Sequence, residues 1–411
     1  MELLNKLYKL NRTLVGDGFD KALQIMKEEL PEMKILEFPT GKEYGTWKIP
    51  QKWEVKDAWV KYKGKKIIDY KKEPLSLVVG SLPVNKKIDL DELKRHLFYE
   101  PKKGNAIPYV FNYYEEDWGF CTTRQKFDKL KKGKYEVFAD TEYTDGTLKV
   151  GEYIIKGKSD REILIAAHLD HPFQANDNLS GVITAVNLAK SLKCDHTIRI
   201  IFTPETIGAM AYAYTQDLSK IDFGIALDMV GNDANPIVQR SFFDNDDISK
   251  AGTMALSKFS KEYQSGPFRG PLGADEYIFN DPQIKIPMIF FSRSLYYEYH
   301  TNLDTPEIVK PERIKEMEGI VKQTIKIMET NWTPKRLFKG PLMRSRYDVQ
   351  QLTKEDNRKY DYFFYFMDGN RSLIELCYIC KLDYDKMNEL LNKMKKDGFI
   401  ESVSKNIQKD K

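Results

Sequence analysis

The sequence of 411 residues has no long apolar run, few cysteines and almost no net charge, and each absence excludes a class of protein. No uninterrupted apolar stretch approaches the length that crosses a bilayer, so we expect no membrane span. Four cysteines fit a reducing cytoplasm better than a disulfide framework. The net charge of +4, from 65 basic and 61 acidic residues, is spread thinly and implies no nucleic acid or other acidic partner.

The opening residues 1–20 also lack an apolar signal segment and a small-residue cleavage site, which argues against secretion. We find no internal repeats and no low-complexity tract. Apolar residues make up 41% of the chain and charged residues 31%, as in ordinary soluble globular proteins. We therefore expect a soluble cytoplasmic protein with two or three domains.

The order of short apolar runs predicts an α/β fold. After Asp145, five such runs alternate with helical segments, which is typical of a mostly parallel sheet with helices on both faces. We therefore predict a three-layer α/β/α core over residues 1–54 and 141–335. Short strands with turn residues predict a small β-rich inserted domain over residues 55–140. After a linker, residues 340–411 form a separate C-terminal unit.

Polar side chains follow several of the predicted strands, and the chain has only five histidines to place there. The candidates are His168, Asp177, Glu205, Asp228 and His300. Open α/β sheets place their ligands at the carboxyl ends of strands, and a set of nitrogen and oxygen donors without thiolates suits Zn²⁺ in a catalytic role. Asp170 can orient an imidazole, and Asp304 could do the same for His300.

Each of these residues alone has a plainer explanation. A single His-x-Asp is more often part of a surface loop, and an isolated Asp228 is more often a helix or turn cap. Five such groups at strand ends, in this order, nevertheless favour a metal centre.

Four segments taken together, HLDHP, NDNLSG, PETIGA and YHTNLDTP, resemble the co-catalytic zinc aminopeptidases (peptidase family twenty-eight). The resemblance is closest to the aminopeptidase-like proteins linked with polysaccharide biosynthesis, and it covers nearly the whole chain. It implies a zinc-aminopeptidase-like core, an inserted swivelling-type domain and a C-terminal winged helix. Proteins of this kind are frequently oligomers, so a homo-oligomer is expected.

The resemblance also implies roles for individual residues. His168, Asp177 and Asp228 would hold one zinc ion, with Asp177 bridging towards a second position that His300 completes. Glu205 falls at the position of the general base.

The family pattern is broken immediately after this base. Where the family has a second glutamate that binds metal, this chain has Thr206, a neutral and poor substitute. We therefore expect one tightly bound zinc ion, unless another carboxylate replaces the lost ligand. Glu276 is the nearest candidate by family position.

These roles imply metal-assisted hydrolysis of an amide bond. Zinc would activate a water molecule, Glu205 would take its proton, and Tyr299 or His300 would help to polarise the amide carbonyl. The expected substrate is a small peptide or another amide. An alternative is an amidase acting on an acylated or aminoacylated sugar or polysaccharide precursor. A degenerate metal-binding protein without activity is the alternative that Thr206 favours, although such a protein has no need of Glu205.

Three other features have open interpretations. Residues 113–124 are rich in aromatic side chains, and we favour a seam between the inserted domain and the core over a lid above the metal. The tyrosines just before His300 are explained by core packing, whereas Arg293 is a candidate for binding a substrate carboxylate or phosphate. Cys377 and Cys380 form a CxxC without partners for a zinc ribbon, so we expect them on a buried helix face.

The predicted winged helix invites a DNA-binding interpretation, but its charge argues against one. From residue 346 to residue 411 there are 13 basic and 12 acidic residues (13 − 12 = +1), whereas DNA binders need a basic face. The presumed recognition helix also begins with Asp383, Asp385 and Glu389. We therefore expect this unit to pack against the catalytic domain or a second subunit.

Overall fold

A computed structural model describes residues 1–270, 272–293, 295–347 and 354–403. Within these ranges the strands are β1 (Lys34–Pro39), β2 (Glu43–Tyr44), β3 (Trp47–Lys48), β4 (Lys52–Tyr62), β5 (Lys65–Asp69), β6 (Val84–Asp89), β7 (Leu97–Phe98), β8 (Phe120–Cys121), β9 (Lys134–Thr144), β10 (Thr147–Ile155), β11 (Glu162–His168), β12 (Thr197–Thr203), β13 (Ile221–Leu227), β14 (Pro236–Gln239), β15 (Gln264–Gly266), β16 (Met288–Arg293), β17 (Thr333–Arg336) and β18 (Ile400–Val403).

The helices in the same ranges are α1 (Glu2–Tyr8), α2 (Asp17–Glu29), α3 (Leu90–Arg95), α4 (Arg124–Asp128), α5 (Leu179–Ser191), α6 (Ile207–Thr215), α7 (Asp247–Phe259), α8 (Glu276–Phe279), α9 (Pro311–Glu329), α10 (Lys354–Phe366), α11 (Leu373–Cys380) and α12 (Tyr384–Lys396). None of these described helices combines the length and the apolar character that crossing a membrane requires.

Eight strands form the central sheet in the order β1-β10-β12-β11-β13-β16-β14-β15. Its four central strands, β12, β11, β13 and β16, are parallel to one another. Strands β1 and β10 pair antiparallel with their neighbours, and β14 pairs antiparallel with β16 but parallel with β15, so the sheet is more mixed than the sequence pattern indicated. The parallel centre brings the carboxyl ends of four strands to one edge of the sheet.

Helices cover both faces of this sheet, as the continuous apolar runs of its strands require. Along β11, Ile163, Ile165 and Ala167 face one apolar cluster, which includes side chains of α5, α7 and α9. Leu164 and Ala166 face the other cluster, to which α6 and α8 contribute. The prediction of an α/β fold with a three-layer core is confirmed.

A second sheet has four strands in the order β5-β4-β9-β6 and a separate apolar core. Strands β4 and β9 pair over their whole length, from Lys52 opposite Thr144 to Tyr62 opposite Tyr135. They therefore continue across both limits of the inserted domain that we predicted at residues 55–140, and those limits stay a prediction. The aromatic segment 113–124 contributes buried Trp118 and Phe120 to this second core.

The C-terminal helices pack against the core of the protein. Helix α11 contacts α7, and residues of α11 and α12 belong to the same apolar cluster as α7 and α9. At the start of α12, the Asp385 carboxylate pairs with Lys258 and lies 2.7 Å from Lys326 Nζ. Cys377 and Cys380 are buried, as expected.

The segment that we predicted to be a linker contributes a strand instead, because β17 pairs antiparallel with β18. Residues 348–353 and 404–411 of the predicted C-terminal unit lie outside the described residues. The winged-helix assignment stays a prediction.

We predict that the full-length protein forms no complex with duplex DNA tighter than about 1 µM at low salt. The acidic start of α12 would face the phosphates, and Asp385 is already paired with lysines of the core. A gel-shift titration measures this, with the triple variant Lys393→Glu/Lys395→Glu/Lys396→Glu as the control that removes the helix's basic end. Tight, salt-sensitive binding that the triple variant loses would contradict the prediction.

Candidate metal centre and active site

The candidate site lies at the edge where the four central strands end. His168 is the last residue of β11, Glu205 follows β12 by two residues, and Asp228 directly follows β13. Asp177 lies in the loop after β11, and His300 lies in the loop after β16. Because these strands are neighbours in the sheet, the structure brings all five residues together.

The Asp177 carboxylate lies at the centre of this group and is almost completely buried. Its Oδ1 atom lies 3.4 Å from His168 Nε2 and 3.1 Å from His171 Nδ1. Its Oδ2 atom lies 3.0 Å from His300 Nε2. Burial alone would raise the pKa of Asp177, but the neighbouring imidazoles outweigh it and hold the pKa well below its usual value.

His168 is held between three carboxylates. Its Nε2 atom lies 3.3 Å from Asp228 Oδ1, and its Nδ1 atom lies 3.2 Å from Asp170 Oδ1, the arrangement in which a carboxylate orients a ligating imidazole. Burial would lower the pKa of His168, but Asp228, Asp170 and Asp177 raise it well above its usual value. Burial raises the pKa of Asp228 to about 6, and His168 opposes that shift.

His171 is a member of this group that our sequence reasoning missed. Its Nδ1 atom lies 3.1 Å from Asp177 Oδ1, and its Nε2 atom lies 3.1 Å from Glu205 Oε2. Together His168, His171 and Asp177 form a buried group whose ligand atoms lie within 4.8 Å of one another, close enough to hold a metal ion. The sequence feature that could have identified it is the second histidine of the HLDHP segment, three residues after His168.

His300 is flanked by aromatic rings. The ring of Tyr299 stacks on it at 4.0 Å between centroids, and Tyr109 meets it edge-on at 5.4 Å. Tyr109 also lies 5.2 Å from the His171 ring, and its backbone N–H donates to the His300 carbonyl. Tyr109 therefore connects the segment before β8 to the candidate metal ligands His171 and His300, and nothing in its sequence context indicated this.

Glu205 reaches the site from the turn after β12. Its backbone N–H donates to Asp170 Oδ1 at 2.9 Å, so one carboxylate oxygen holds both Glu205 and His168. The next residue, Thr206, donates its backbone N–H to Asp275 and accepts a hydrogen bond from the Tyr277 hydroxyl at 3.1 Å. The threonine hydroxyl is thus engaged with protein.

Two residues near the site, Asp304 and Glu276, have other partners than we expected. Asp304, which we expected to orient His300, accepts backbone N–H groups of Asn176 and Asp177 and the Tyr296 hydroxyl. Glu276 is buried on α8 and accepts the Ala274 N–H; among the described residues it makes no hydrogen bond or ion pair with the His168 group. It is therefore not placed to replace the lost ligand.

Arg293 is buried and holds the loop after β13. Its guanidinium donates to the carbonyl groups of Val230 and Ala234 and pairs with Glu316 at 2.7 Å. Our suggestion that Arg293 binds a substrate anion is wrong, because these protein partners occupy its donors.

Two asparagines fix the distance between the metal-binding loops. Asn178 accepts the N–H groups of Gly181 and Met229 and donates to the Leu227 carbonyl, while Asn176 accepts the Gly231 N–H. The loop after β11 is thereby bound to the loop after β13. Gly181 is required at this contact, since an added Cβ would lie 2.4 Å from Asn178 Oδ1 and 2.5 Å from the Leu227 carbonyl oxygen.

Arg12, from the segment between α1 and α2, supports the loop after β11 from behind. Its fully buried guanidinium donates to the carbonyl groups of Leu169, His171 and Gln174 at 2.7–3.0 Å. Burial lowers the pKa of Arg12 to about 10, and the charge of Asp170 opposes that shift, so the side chain stays a cation near neutral pH.

Backbone strain is concentrated around the same residues. Left-handed φ values occur at His171 (62°), Thr206 (62°), Met229 (52°) and His300 (51°), each in or beside a candidate site residue. Such conformations cost about 1–3 kcal/mol each and persist where the surroundings impose them, often at functional sites.

A cavity of about 290 Å³ opens over this group. Its walls include the side chains of His168, Asp177, Glu205, Asp228 and Tyr299, together with Met229, Leu272, Leu295 and Arg269. A small organic molecule could therefore reach both the candidate metal ligands and Glu205.

Similar proteins identify the family of this chain. Residues 1–331 match the family described as a domain of unknown function, DUF4910. The chain belongs to this family. A Clostridium acetobutylicum member named "Putative polysaccharide biosynthesis protein with aminopeptidase-like domain" is 32% identical over 400 residues, which is 94% of this chain and 92% of that protein.

Solved structures show the same fold. A crystal structure of a "putative peptidase" from Clostridium acetobutylicum is 30% identical with a TM-score of 0.84, over 98% of this chain and 95% of that one. BSAP, a zinc aminopeptidase from Bacillus subtilis, is 16% identical with a TM-score of 0.60, over 79% of this chain and 93% of that one. The resemblance to zinc aminopeptidases, drawn above from four segments, is confirmed, and this DUF4910 chain has their fold.

We predict that Arg12→Met weakens metal binding as well as folding. The substitution leaves carbonyl groups of the metal-binding loop without a donor, which lowers the free energy of unfolding by about 1–3 kcal/mol and lets the loop move. Chelator competition measures the metal affinity, and thermal unfolding measures the stability.

Arg199→Met is the matched control, because Arg199 is also buried but pairs with Glu162 and Tyr212 on the central sheet. It should destabilise the fold without weakening metal binding. An unchanged metal affinity in folded Arg12→Met would show that Arg12 only stabilises the fold.

Proposed function

We propose that this DUF4910 chain is a zinc-dependent hydrolase of amide bonds, with an aminopeptidase-like site. The observation that carries the proposal is the approach of His168 and His171 to one carboxylate group, Asp177, with Asp228 beside His168 and Glu205 beside His171 in the same cavity. Nitrogen and oxygen donors without thiolates, in a cavity that admits a substrate, are typical of catalytic zinc sites.

The residues present fit a metal ion. Asp177 Oδ2 and His300 Nε2 are buried atoms that face each other at 3.0 Å but are not aligned for a hydrogen bond, and no other described residue bonds either atom. Such atoms are costly unless a further group binds them. His168, His171, Asp177 and Asp228 would hold one ion tightly on the Oδ1 side. Among the residues that the structure describes, the Oδ2 side offers only Asp177 and His300, fewer than the three protein ligands usual in a catalytic zinc site.

When bound, zinc would supply a Lewis acid that polarises an amide carbonyl and makes water acidic enough to react near neutral pH. Glu205 would act as the general base, taking the proton of the attacking water and passing it to the departing amine. Its carboxylate faces the cavity and is partly exposed, while Asp170 holds its backbone N–H in place.

Tyr299 is suited to donate a hydrogen bond to the carbonyl oxygen of the substrate. Burial and nearby carboxylates, Asp177 first among them, raise the pKa of Tyr299, so its hydroxyl keeps its proton across the neutral range. The ring is held against His300 at the cavity wall. Charge that develops on an oxygen in the transition state is stabilised by such fixed donors.

A second candidate function is hydrolysis of an amide on a sugar or polysaccharide precursor. It is favoured by the name of the Clostridium relative, which refers to polysaccharide biosynthesis. Both functions use the same residues, so a panel of aminoacyl, N-acyl amino acid and N-acyl amino sugar substrates distinguishes them.

We predict that Glu205→Gln retains fold and zinc but lowers kcat by about 10²–10⁴-fold, because an amide cannot accept the proton. Zinc analysis and turnover of the best substrate of the panel are measured on the same preparation. Glu28→Gln, at an exposed position on α2, is the matched control and should leave both unchanged. Loss of zinc together with activity would identify Glu205 as a ligand.

We predict about one tightly held zinc ion per chain after dialysis, because Thr206 supplies no carboxylate and its hydroxyl is bound to Tyr277. Elemental analysis decides this, with Thr206→Glu expected to raise the zinc content and Asp228→Asn to lower it. A wild-type content of about two zinc ions per chain would mean that His300 and Asp177 suffice for a second ion.

A further inference from the structure

The cavity over the metal-binding group has a cation on its wall. Among the described residues that line it, Arg269 is the only lysine or arginine, and Met229, Leu272 and Leu295 supply apolar surface. The carboxylates in the lining, Asp177, Glu205 and Asp228, are those assigned above to the metal and to the general base. Arg269 therefore has no part in the reaction proposed so far.

Contacts with protein hold the Arg269 guanidinium against this wall. It lies 4.7 Å from the centroid of the Tyr277 ring, a cation–π contact. It also lies over Gly273, where an added Cβ would come within 2.6 Å of Nη1. The Tyr277 hydroxyl in turn donates to Thr206, the residue after the proposed base. The guanidinium is thus placed beside the proposed reaction site.

No carboxylate of the described residues lies within 4.0 Å of the Arg269 guanidinium. Glu276 also lies over Gly273, at 3.0 Å from the same added Cβ, but its Oε1 atom has no hydrogen-bond partner among the described residues. Burial raises the pKa of Glu276 to about 7 and the charge of Arg269 opposes that shift, but the two side chains form no ion pair within 4.0 Å. The donors of Arg269 remain available to an anion in the cavity.

The other buried carboxylates around the site are not available to bind a free amine. Asp170, Asp275 and Asp304 accept backbone N–H groups of the metal-binding loops and of the turn at Glu205. The carboxylates among the described residues that line the cavity, Asp177, Glu205 and Asp228, are all used by the proposed reaction, whereas Arg269 is not, so the lining favours a substrate with a negative charge.

We propose that Arg269 binds a carboxylate group of the substrate, and that the substrate is a small amide with a free carboxylate and an apolar side chain, such as an N-acyl amino acid. The inference rests on the proposed amide hydrolysis and narrows its substrate class. Arginine presents paired N–H donors that match a carboxylate. The cavity volume is near the lower limit of roughly 300 Å³ for ligand pockets, which favours a small substrate.

Kinetics on matched substrates test the proposal. N-acetyl-leucine and N-acetyl-leucinamide share the scissile acetamide and differ in the carboxylate. Arg269→Met should raise KM for the acid about tenfold and leave KM for the neutral amide unchanged, since a charged hydrogen bond is lost only with the acid. Arg269→Lys should fall between, because lysine lacks the paired donors.

Arg240→Met is the matched control, since Arg240 pairs with Asp244 and does not line the cavity. It should change neither KM. Zinc content should be the same in all variants. An equal effect of Arg269→Met on both substrates, or no effect on either, would overturn the proposal.

A binding measurement separates this proposal from the proposed hydrolysis. Calorimetric titration of the zinc-loaded Glu205→Gln protein with the two compounds should show about tenfold tighter binding of the acid, and the added Arg269→Met change should abolish that difference. If the wild type hydrolyses neither compound but this difference is found, Arg269 binds the carboxylate and the proposed reaction fails. If the protein with Arg269→Met still bound N-acetyl-leucine more tightly than N-acetyl-leucinamide, the carboxylate would bind the metal and not Arg269. That result would overturn the proposal.

Discussion

The Asp177 carboxylate, buried between three imidazoles, is the interaction on which the rest of the site depends. A buried carboxylate without partners would cost several kcal/mol, and both of its oxygens here face histidines from separate segments of the chain. The loops after β11 and β16 must therefore close to within hydrogen-bonding distance. Asp304 holds the backbone N–H of Asp177 itself, and Arg12 holds the carbonyl groups before it.

The buried charges follow one pattern around this centre. Asp170, Asp275 and Asp304 each accept backbone N–H groups close to a candidate ligand or the base, while Arg12 and Arg293 each donate to carbonyl groups of the metal-binding loops. Hydrogen bonds to charged groups are the stronger ones, and strained loop conformations persist only where the surroundings impose them. These side chains position the groups that would react, and none of them lines the cavity.

Sequence reasoning located the strand ends and the residues directly attached to them. His168 and Asp228 border strands whose apolar runs are unambiguous. Because these strands are parallel neighbours in the sheet, their carboxyl ends bring the two residues together. His171 was missed because it reaches Asp177 through a left-handed backbone conformation, with φ of 62°, which the local sequence pattern does not predict. Arg293, Asp304 and Glu276 were misplaced because the direction of a side chain within a loop or a short helix is set by tertiary contacts. The antiparallel edge strands were missed for a similar reason, since apolar runs do not encode strand direction.

In the two proposals made above, Thr206 affects both the number of zinc ions that are bound and the charge of the substrate that Arg269 accepts. A glutamate at this position would add a metal ligand and would also place a negative charge beside Tyr277, whose ring carries the Arg269 guanidinium. Threonine binds the Tyr277 hydroxyl without adding that charge, so the second metal position keeps only Asp177 and His300, and Arg269 keeps its donors for a ligand. On this view, threonine in place of glutamate weakens the second metal position at Asp177 and His300. It also leaves Arg269 available to bind an anionic group of the substrate.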